Sequence, residues 1–407
     1  NSGLLLIAGC HEWDNSTSKT AQGLDGPHLL DLGGMVSRCF SSSSSCFSFF
    51  LLADGGLFAI GSNGHGQLGV GDHTTRNTAC QVPTDKLPAP VVKIATGKHH
   101  SLMLLENGDV YAAGSNSFGQ CGLGSGTRAA QDSLSFTKIS ELTAIVDVAC
   151  GWDHSLVCDT EGRLFTFGHP LYGQLGNGTT GEYIKEGGKG AALQFSCVCT
   201  PYQVKSFLLK DSHGRLKEEL PSTTLKIVKV AAGKNHSMCL ADESCGSKVF
   251  TWGFGGYGRL GHRSAEDEFR PRELEFFSPT GQQKNQVARQ VVQMICGSSF
   301  SLFITKTRQI YFCGMMSNSP RGEAQTYPKI TDELYDWSVG GAAAGSNLIV
   351  VSAEDACVAW GVPVAGKLGL EGMATTTRVP KYVDSVRGFV SCDVSCGYGH
   401  TSFVLAA

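Results

Sequence analysis

FAIGSNGHGQLG, running from Phe58 to Gly69, decides the fold once its relatives along the chain are found. An apolar run ends in glycine, a polar turn follows, and a Gly-Gln-Leu-Gly tetrad closes the unit. YAAGSNSFGQCG from Tyr111, FTFGHPLYGQLG from Phe165 and FTWGFGGYGRLG from Phe250 repeat it. VAWGVPVAGKLG from Val358 keeps the spacing, and YFCGMMSNSPRG from Tyr311 keeps only the strand and its glycine. The strand glycines Gly61, Gly114, Gly168, Gly253, Gly314 and Gly361 fall 53, 54, 85, 61 and 47 residues apart. A period near fifty residues is that of a propeller blade.

A second pattern alternates with the first: Gly-x-x-His-Ser leading into an apolar strand. It reads GKHHSLMLL from Gly97, GWDHSLVC from Gly151, GKNHSMCL from Gly233 and GYGHTSFVL from Gly397. GSSFSLFI from Gly297, AAGSNLIVV from Ala343 and the run Ser48-Phe49-Phe50-Leu51 are weaker copies. Between the two patterns stand Asp54-Gly55 and Asn107-Gly108, the pairs that favour two-residue hairpins. Each unit is therefore an antiparallel sheet connected by hairpins. The last copy ends at Leu405 with no glycine-ending strand after it, whereas Gly3 to Gly9 is such a strand. We expect an all-β, seven-bladed propeller, one domain over residues 1–407, closed by the N-terminal strand completing the C-terminal blade.

The strand-ending glycines permit backbone angles closed to other residues and allow blades to approach closely. The leucine of Gly-Gln-Leu-Gly is apolar beside a turn and is expected to fill the gap between neighbouring blades. His100, His154, His236 and His400 recur at one repeat position, so they read as buried hydrogen-bonding elements and not as catalysts. Ser41 to Ser45 replaces a Gly-x-x-His loop in the first unit and reads as a flexible turn.

Composition fits this architecture. The chain carries 52 glycines in 407 residues, far above average usage and suited to many tight turns. Leu4 to Ala8 and Phe47 to Ala53 are the longest apolar stretches, too short to cross a bilayer, so no membrane association is expected. The opening Asn1-Ser2-Gly3 does not resemble a secretory leader. Sixteen cysteines are scattered singly. Cys150, Cys296 and Cys396 each precede a glycine at one repeat position, which suits small buried hydrophobes in a reducing compartment. Cys197 and Cys199 have no second pair at zinc-ligand spacing, and neither a metal nor another cofactor is expected. The chain has no Gly-x-Ser-x-Gly elbow, no phosphate-binding Gly-Lys-Ser/Thr loop and no His-Glu-x-x-His helix, so covalent catalysis is not expected.

From end to end these motifs resemble the regulator-of-chromosome-condensation family. The resemblance implies a propeller that binds small GTPases of the Rac, Ral, Ran or Arf type, as exchange factor or as nucleotide-state-selective binder. It links the chain to cell division, the cytoskeleton and chromatin, in nucleus and cytoplasm, and we expect a monomer. In the family's founding member the important residues lie in the Gly-x-x-His loops, just before the histidine. The matching positions include Lys98, His99, Trp152, Asp153, Lys234, Asn235 and Tyr398, with Ser298 and Ser299 in a degenerate copy. Asp153 matches the family pattern best, and His99 and Asn235 depart from it. An acidic side chain there can compete for the cationic phosphate-loop lysine of a GTPase, while the alternative is an aspartate capping its own loop. GWDHS from Gly151 also resembles loops of the plant ultraviolet-photoreceptor branch, but Trp152 is the only tryptophan at that loop position, so light sensing is not expected.

Residues 181–224 lengthen the third unit. From Tyr183 to Lys234 there are nine basic and four acidic residues, a net charge of +5 in a chain whose total is −3. Lys185, Lys189, Lys205, Lys210, Arg215 and Lys217 are the candidate partner-binding residues there, able to steer an acidic partner. The alternative function is a non-catalytic adaptor for chromatin or for mitotic and microtubule complexes. A pI near 6.5 argues against a dedicated nucleic-acid binder.

Overall fold

The computed structural model describes residues 3–9, 26–124, 131–187, 190–278, 289–316, 324–334, 337–353, 356–363, 366–370, 372 and 375–406. The chain is an all-β propeller. Four-stranded antiparallel meanders are built from Val91–Thr96, His100–Leu105, Val110–Gly114 and Ser133–Lys138, and again from Ile145–Cys150, His154–Asp159, Leu164–Gly168 and Val198–Gln203. Ile227–Ala232, His236–Ala241, Val249–Gly253 and Glu268–Glu273 form the next, followed by the meanders that begin at Val291 and Val339. The remaining sheet has eight strands and joins both ends of the chain.

In that sheet Gly3–Gly9 pairs with His400–Ala406 over its whole length, Gly9 opposite His400. The same register sets Gly114 opposite His100 and Gly168 opposite His154, so the N-terminal strand takes the place of a glycine-ending strand. Gly9 and Gly168 have φ of 123° and 111°. A Cβ on Gly168 would lie 2.4 Å from the Asp153 carbonyl oxygen. Only glycine fits where the strand crosses its partner so closely.

Burial follows strand position. The second strands His100–Leu105 and His154–Asp159 are buried at every residue because neighbouring blades cover both faces. The outer strands Arg76–Gln81 and Ser133–Lys138 have no buried residue. Leu68, Cys121 and Leu368 of the tetrads are buried in clusters that span two successive units, as their apolar character suggested. The inner strands surround an axial cavity of about 490 Å³ lined by small residues including Ala95, Ala149, Ala231 and Ala343.

Two expectations change. Val198–Gln203 lies inside the segment taken as insertion, yet it is the outer strand of its sheet and pairs with Leu164–Gly168. The extra chain is therefore two hairpins, Glu182–Gly187 with Gly190–Phe195 before that strand, and Ser206–Lys210 with Leu216–Pro221 after it. The second hairpin adds to the following sheet through parallel pairing of Leu208 with Arg272. The serine run is a packed element and not an open turn: Ser43, Ser44 and Ser45 are buried, and the Ser45 carbonyl accepts the Tyr398 amide at 2.8 Å. Small side chains allow it to sit against neighbouring loops where a Gly-x-x-His loop would otherwise stand.

Candidate functional site

The Gly-x-x-His loops are held together from blade to blade by a relay that explains their sequence. Nε2 of His100 lies 3.0 Å from Ser155 Oγ in the next unit, and His154 reaches Ser237, and His236 reaches Ser301, at the same distance. His400 reaches Ser48 across the closure of the ring. The hydroxyls of Ser155, Ser237 and Ser301 donate at 2.8 Å to the carbonyls of Gln120, Gln174 and Arg259 in the tetrads. A hydroxyl already donating must accept from the imidazole, which fixes the neutral Nε2–H tautomer. Burial pushes the His100 and His154 pKa down to about 3 and that of His400 to about 4. These histidines are structural, as their recurrence suggested, and they bring the two residues before each of them onto one face.

On that face the loops touch through their backbones. The Lys98 amide donates to the Trp152 carbonyl at 3.1 Å, and the Trp152 amide to the Lys234 carbonyl at 3.2 Å. Consequently Trp152 lies between two cations, with Lys98 Nζ 4.5 Å and Lys234 Nζ 3.5 Å from its ring centroid. Its buried Nε1 has no hydrogen-bond partner among the described residues.

The carboxylate of Asp153, half-buried next to this stack, makes no hydrogen bond or ion pair among the described residues, so it does not cap its own loop. Burial raises its pKa, opposed by the fields of Lys98, His65 and Lys234. The Lys234 pKa is lowered, chiefly by burial and then by Arg259 and Lys98. His99 stacks on His65 with ring centroids 4.5 Å apart, and His65 Nδ1 lies 2.9 Å from Asp132. Burial, then His65, takes the His99 pKa down to about 4.

Lys98, His99, Trp152, Asp153 and Lys234 thus converge. Asn235 flanks them, its carbonyl accepting the Phe254 amide at 2.9 Å, while Tyr398 lies against the serine run. Sequence reasoning missed His65, Asp132 and Arg259. Each enters the neighbourhood from outside the Gly-x-x-His loops; the available signals were His65 directly before its tetrad, where Phe118, Tyr172 and Tyr257 stand in other copies, and Arg259 in place of the tetrad glutamine. Arg259 is buried in place of the tetrad glutamine, bonds the carbonyls of Gly256 and Ser298, and lies 4.6 Å from the centre of the Phe254 ring.

The candidate partner-binding lysines are dispersed. Lys210 pairs with Glu268 at 2.6 Å and Lys217 with Glu275 at 3.1 Å, so both fasten the second hairpin to its blade. Lys205 and Arg215 make no ion pair among the described residues. The side chain of Lys185 and the whole of Lys189 lie outside the described residues. Chemically, the Gly-x-x-His face offers an unpaired carboxylate, an unpaired indole N–H and two lysines held by an aromatic ring. Burial lifts the thiol pKa of Cys150 and Cys396, which precede two of the loops, to about 12.

The RCC1-like domain model matches residues 42–403. The protein RCC2 homolog of Danio rerio is 34% identical over 99% of this chain and 80% of its own length. Among solved structures, human WBSCR16 superposes with a TM-score of 0.75 at 20% identity, covering 100% of both chains. Prp20p of Saccharomyces cerevisiae, described together with its binding to Gsp1p and histones, superposes with a TM-score of 0.72 at 20% identity over 99% of this chain and 92% of its own. These two share the fold. The chain belongs to the RCC1-like domain family.

Proposed function

We propose that this protein is a seven-bladed RCC1-like propeller that binds a small GTPase on the Gly-x-x-His face and acts as exchange factor or nucleotide-state-selective binder. The count takes the eight-stranded sheet as two four-stranded blades, Ser391–Cys396, His400–Ala406, Gly3–Gly9 and His28–Leu29 in one and Val36–Phe40, Phe47–Leu52, Leu57–Gly61 and Arg76–Gln81 in the other. The observation that carries the functional reading is Asp153: a half-buried carboxylate without a partner, beside an unpaired indole N–H. An exchange factor makes no covalent bond. It stabilises the nucleotide-free GTPase, in which the phosphate-loop lysine has lost its anionic partner, and a waiting carboxylate can supply one. Lys98 and Lys234 would repel a misplaced cation and attract acidic residues around the nucleotide site. Prp20p, with the same fold, is described as binding Gsp1p, which supports a GTPase as the kind of partner.

Release of fluorescent GDP from purified Rac-, Ral-, Ran- and Arf-type GTPases tests the reading. The expected result is acceleration by the wild-type protein that Asp153→Ala removes. A flat panel, with binding to nucleosomes lost on charge reversal at Lys205 and Arg215, would replace it with the adaptor reading.

A further inference from the structure

A second cavity, of about 350 Å³, lies where the second hairpin meets its blade and the following outer strand, and is lined by Arg263, Arg272, Arg289, His262 and Tyr327 among others. We propose that it binds a phosphoryl group, free or carried on a peptide side chain; this does not depend on the GTPase reading.

The first observation is a break in the repeat. Two residues after each tetrad, Gly71, Gly124 and Gly178 donate their amides to the Leu134, Cys199 and Phe269 carbonyls of the neighbouring outer strand, at φ of 95°, 79° and 86°. Arg263 stands at this place in the fourth copy. Its amide donates to the Thr326 carbonyl at 2.7 Å and it keeps a left-handed φ of 63°. A long side chain held in glycine's conformation is strained, and strain of this kind is retained where the side chain has a use.

The second is the state of the guanidinium groups. Arg272 is only 6% exposed; its Nη1 bonds Glu268 at 2.8 Å and its Nη2 the Asp211 carbonyl at 3.0 Å, but its Nε has no partner among the described residues. Arg263 lies 5.2 Å from the centre of the Tyr327 ring and Arg289 4.6 Å from that of Phe276, and neither makes an ion pair among the described residues. Aromatic stacking thus orients these two groups while leaving their charge uncompensated.

The carboxylates in the lining are occupied. Glu273 is held by Lys248 at 3.2 Å and by Ser278 Oγ at 2.7 Å, and Glu275 by Lys217 at 3.1 Å. Buried His262 is neutral, its pKa lowered to about 3 by burial and then by Arg272, and its Nε2 lies 2.8 Å from Thr251 Oγ1. Planar forks with free N–H groups match the oxygens of a tetrahedral dianion better than they match any uncharged ligand.

Arg263→Gly is the decisive variant, because it restores the residue that three other copies use. The full chain is titrated calorimetrically with inorganic phosphate in chloride buffer of matched ionic strength, and with a phosphoserine peptide beside its unphosphorylated twin. We expect phosphate binding that weakens roughly tenfold in Arg263→Gly and again on adding Arg289→Ala, with the melting temperature of Arg263→Gly at or above that of the wild type. Tighter binding of the phosphopeptide than of free phosphate would identify a peptide as the source, and equal affinity the free anion. Phosphate binding unchanged by both substitutions, or no binding by the wild-type protein at millimolar phosphate, overturns the site.

Discussion

His154 and Phe300 occupy the same position in their blades, and the contrast between them shows what the repeat demands and what it merely uses. Both are wholly buried, and both fill the space beside a loop glycine. A Cβ on Gly151 would lie 2.0 Å from the His154 ring, and one on Gly297 would lie 2.2 Å from the Phe300 ring. Volume is therefore the common requirement. The hydrogen bond is conditional: His154 finds Ser237 in the next blade, whereas the residue facing Phe300 from the next blade at that position is Ile349. Where the hydroxyl is missing, a buried imidazole would have an unpaired N–H, and phenylalanine avoids that cost.

The largest way to break the comparison is pH. The relay imidazoles are held neutral in the fold, while in the unfolded chain they take up a proton near pH 6.5. Their stabilisation is complete above that pH and is lost as the pH falls toward the folded values of about 3 to 4. Each one forfeits about 1.4 kcal/mol per pH unit below 6.5, so urea midpoints should drop steeply between pH 6.5 and 4.5. Next, His154→Ala should cost about 3 kcal/mol through the cavity it opens, and His154→Phe should cost less, since the blade with Phe300 tolerates that ring. Chemical denaturation at neutral pH measures both.

A smaller effect tests the conditional bond. Phe300→His alone should lose about 2 kcal/mol by burying an N–H without an acceptor. Combining it with Ile349→Ser should recover about 1 kcal/mol of coupling in a double-mutant cycle; zero coupling would mean that the hydroxyl is incidental to the relay.

Much of this was legible in the sequence because it recurs. The strand-ending glycines, the tetrad leucines and the four histidines each solve one packing problem several times, and repetition makes the solution visible. The role of Gly3–Gly9 followed from counting. What stayed hidden occurs once and depends on neighbours distant in the chain. Lys98 and Lys234 flank Trp152 because successive blades place their loops side by side, which no local pattern states. Charge counting could not distinguish Lys210 and Lys217, whose carboxylates lie about sixty residues away, from Lys205 and Arg215. The outer strand Val198–Gln203 was masked by the hairpins on either side of it, and the packing of the serine run depends on Tyr398 and Thr96 at other points of the ring.

The central functional claim rests on Asp153, and affinity for two nucleotide states measures it most directly. Binding of the wild-type protein and of Asp153→Asn to one responsive GTPase should be compared with the GTPase loaded with GDP and stripped of nucleotide. Wild-type protein that prefers the stripped form tenfold or more, with the preference abolished in Asp153→Asn and folding unchanged, is the predicted result. Equal affinity of wild type and Asp153→Asn for the stripped GTPase would contradict it.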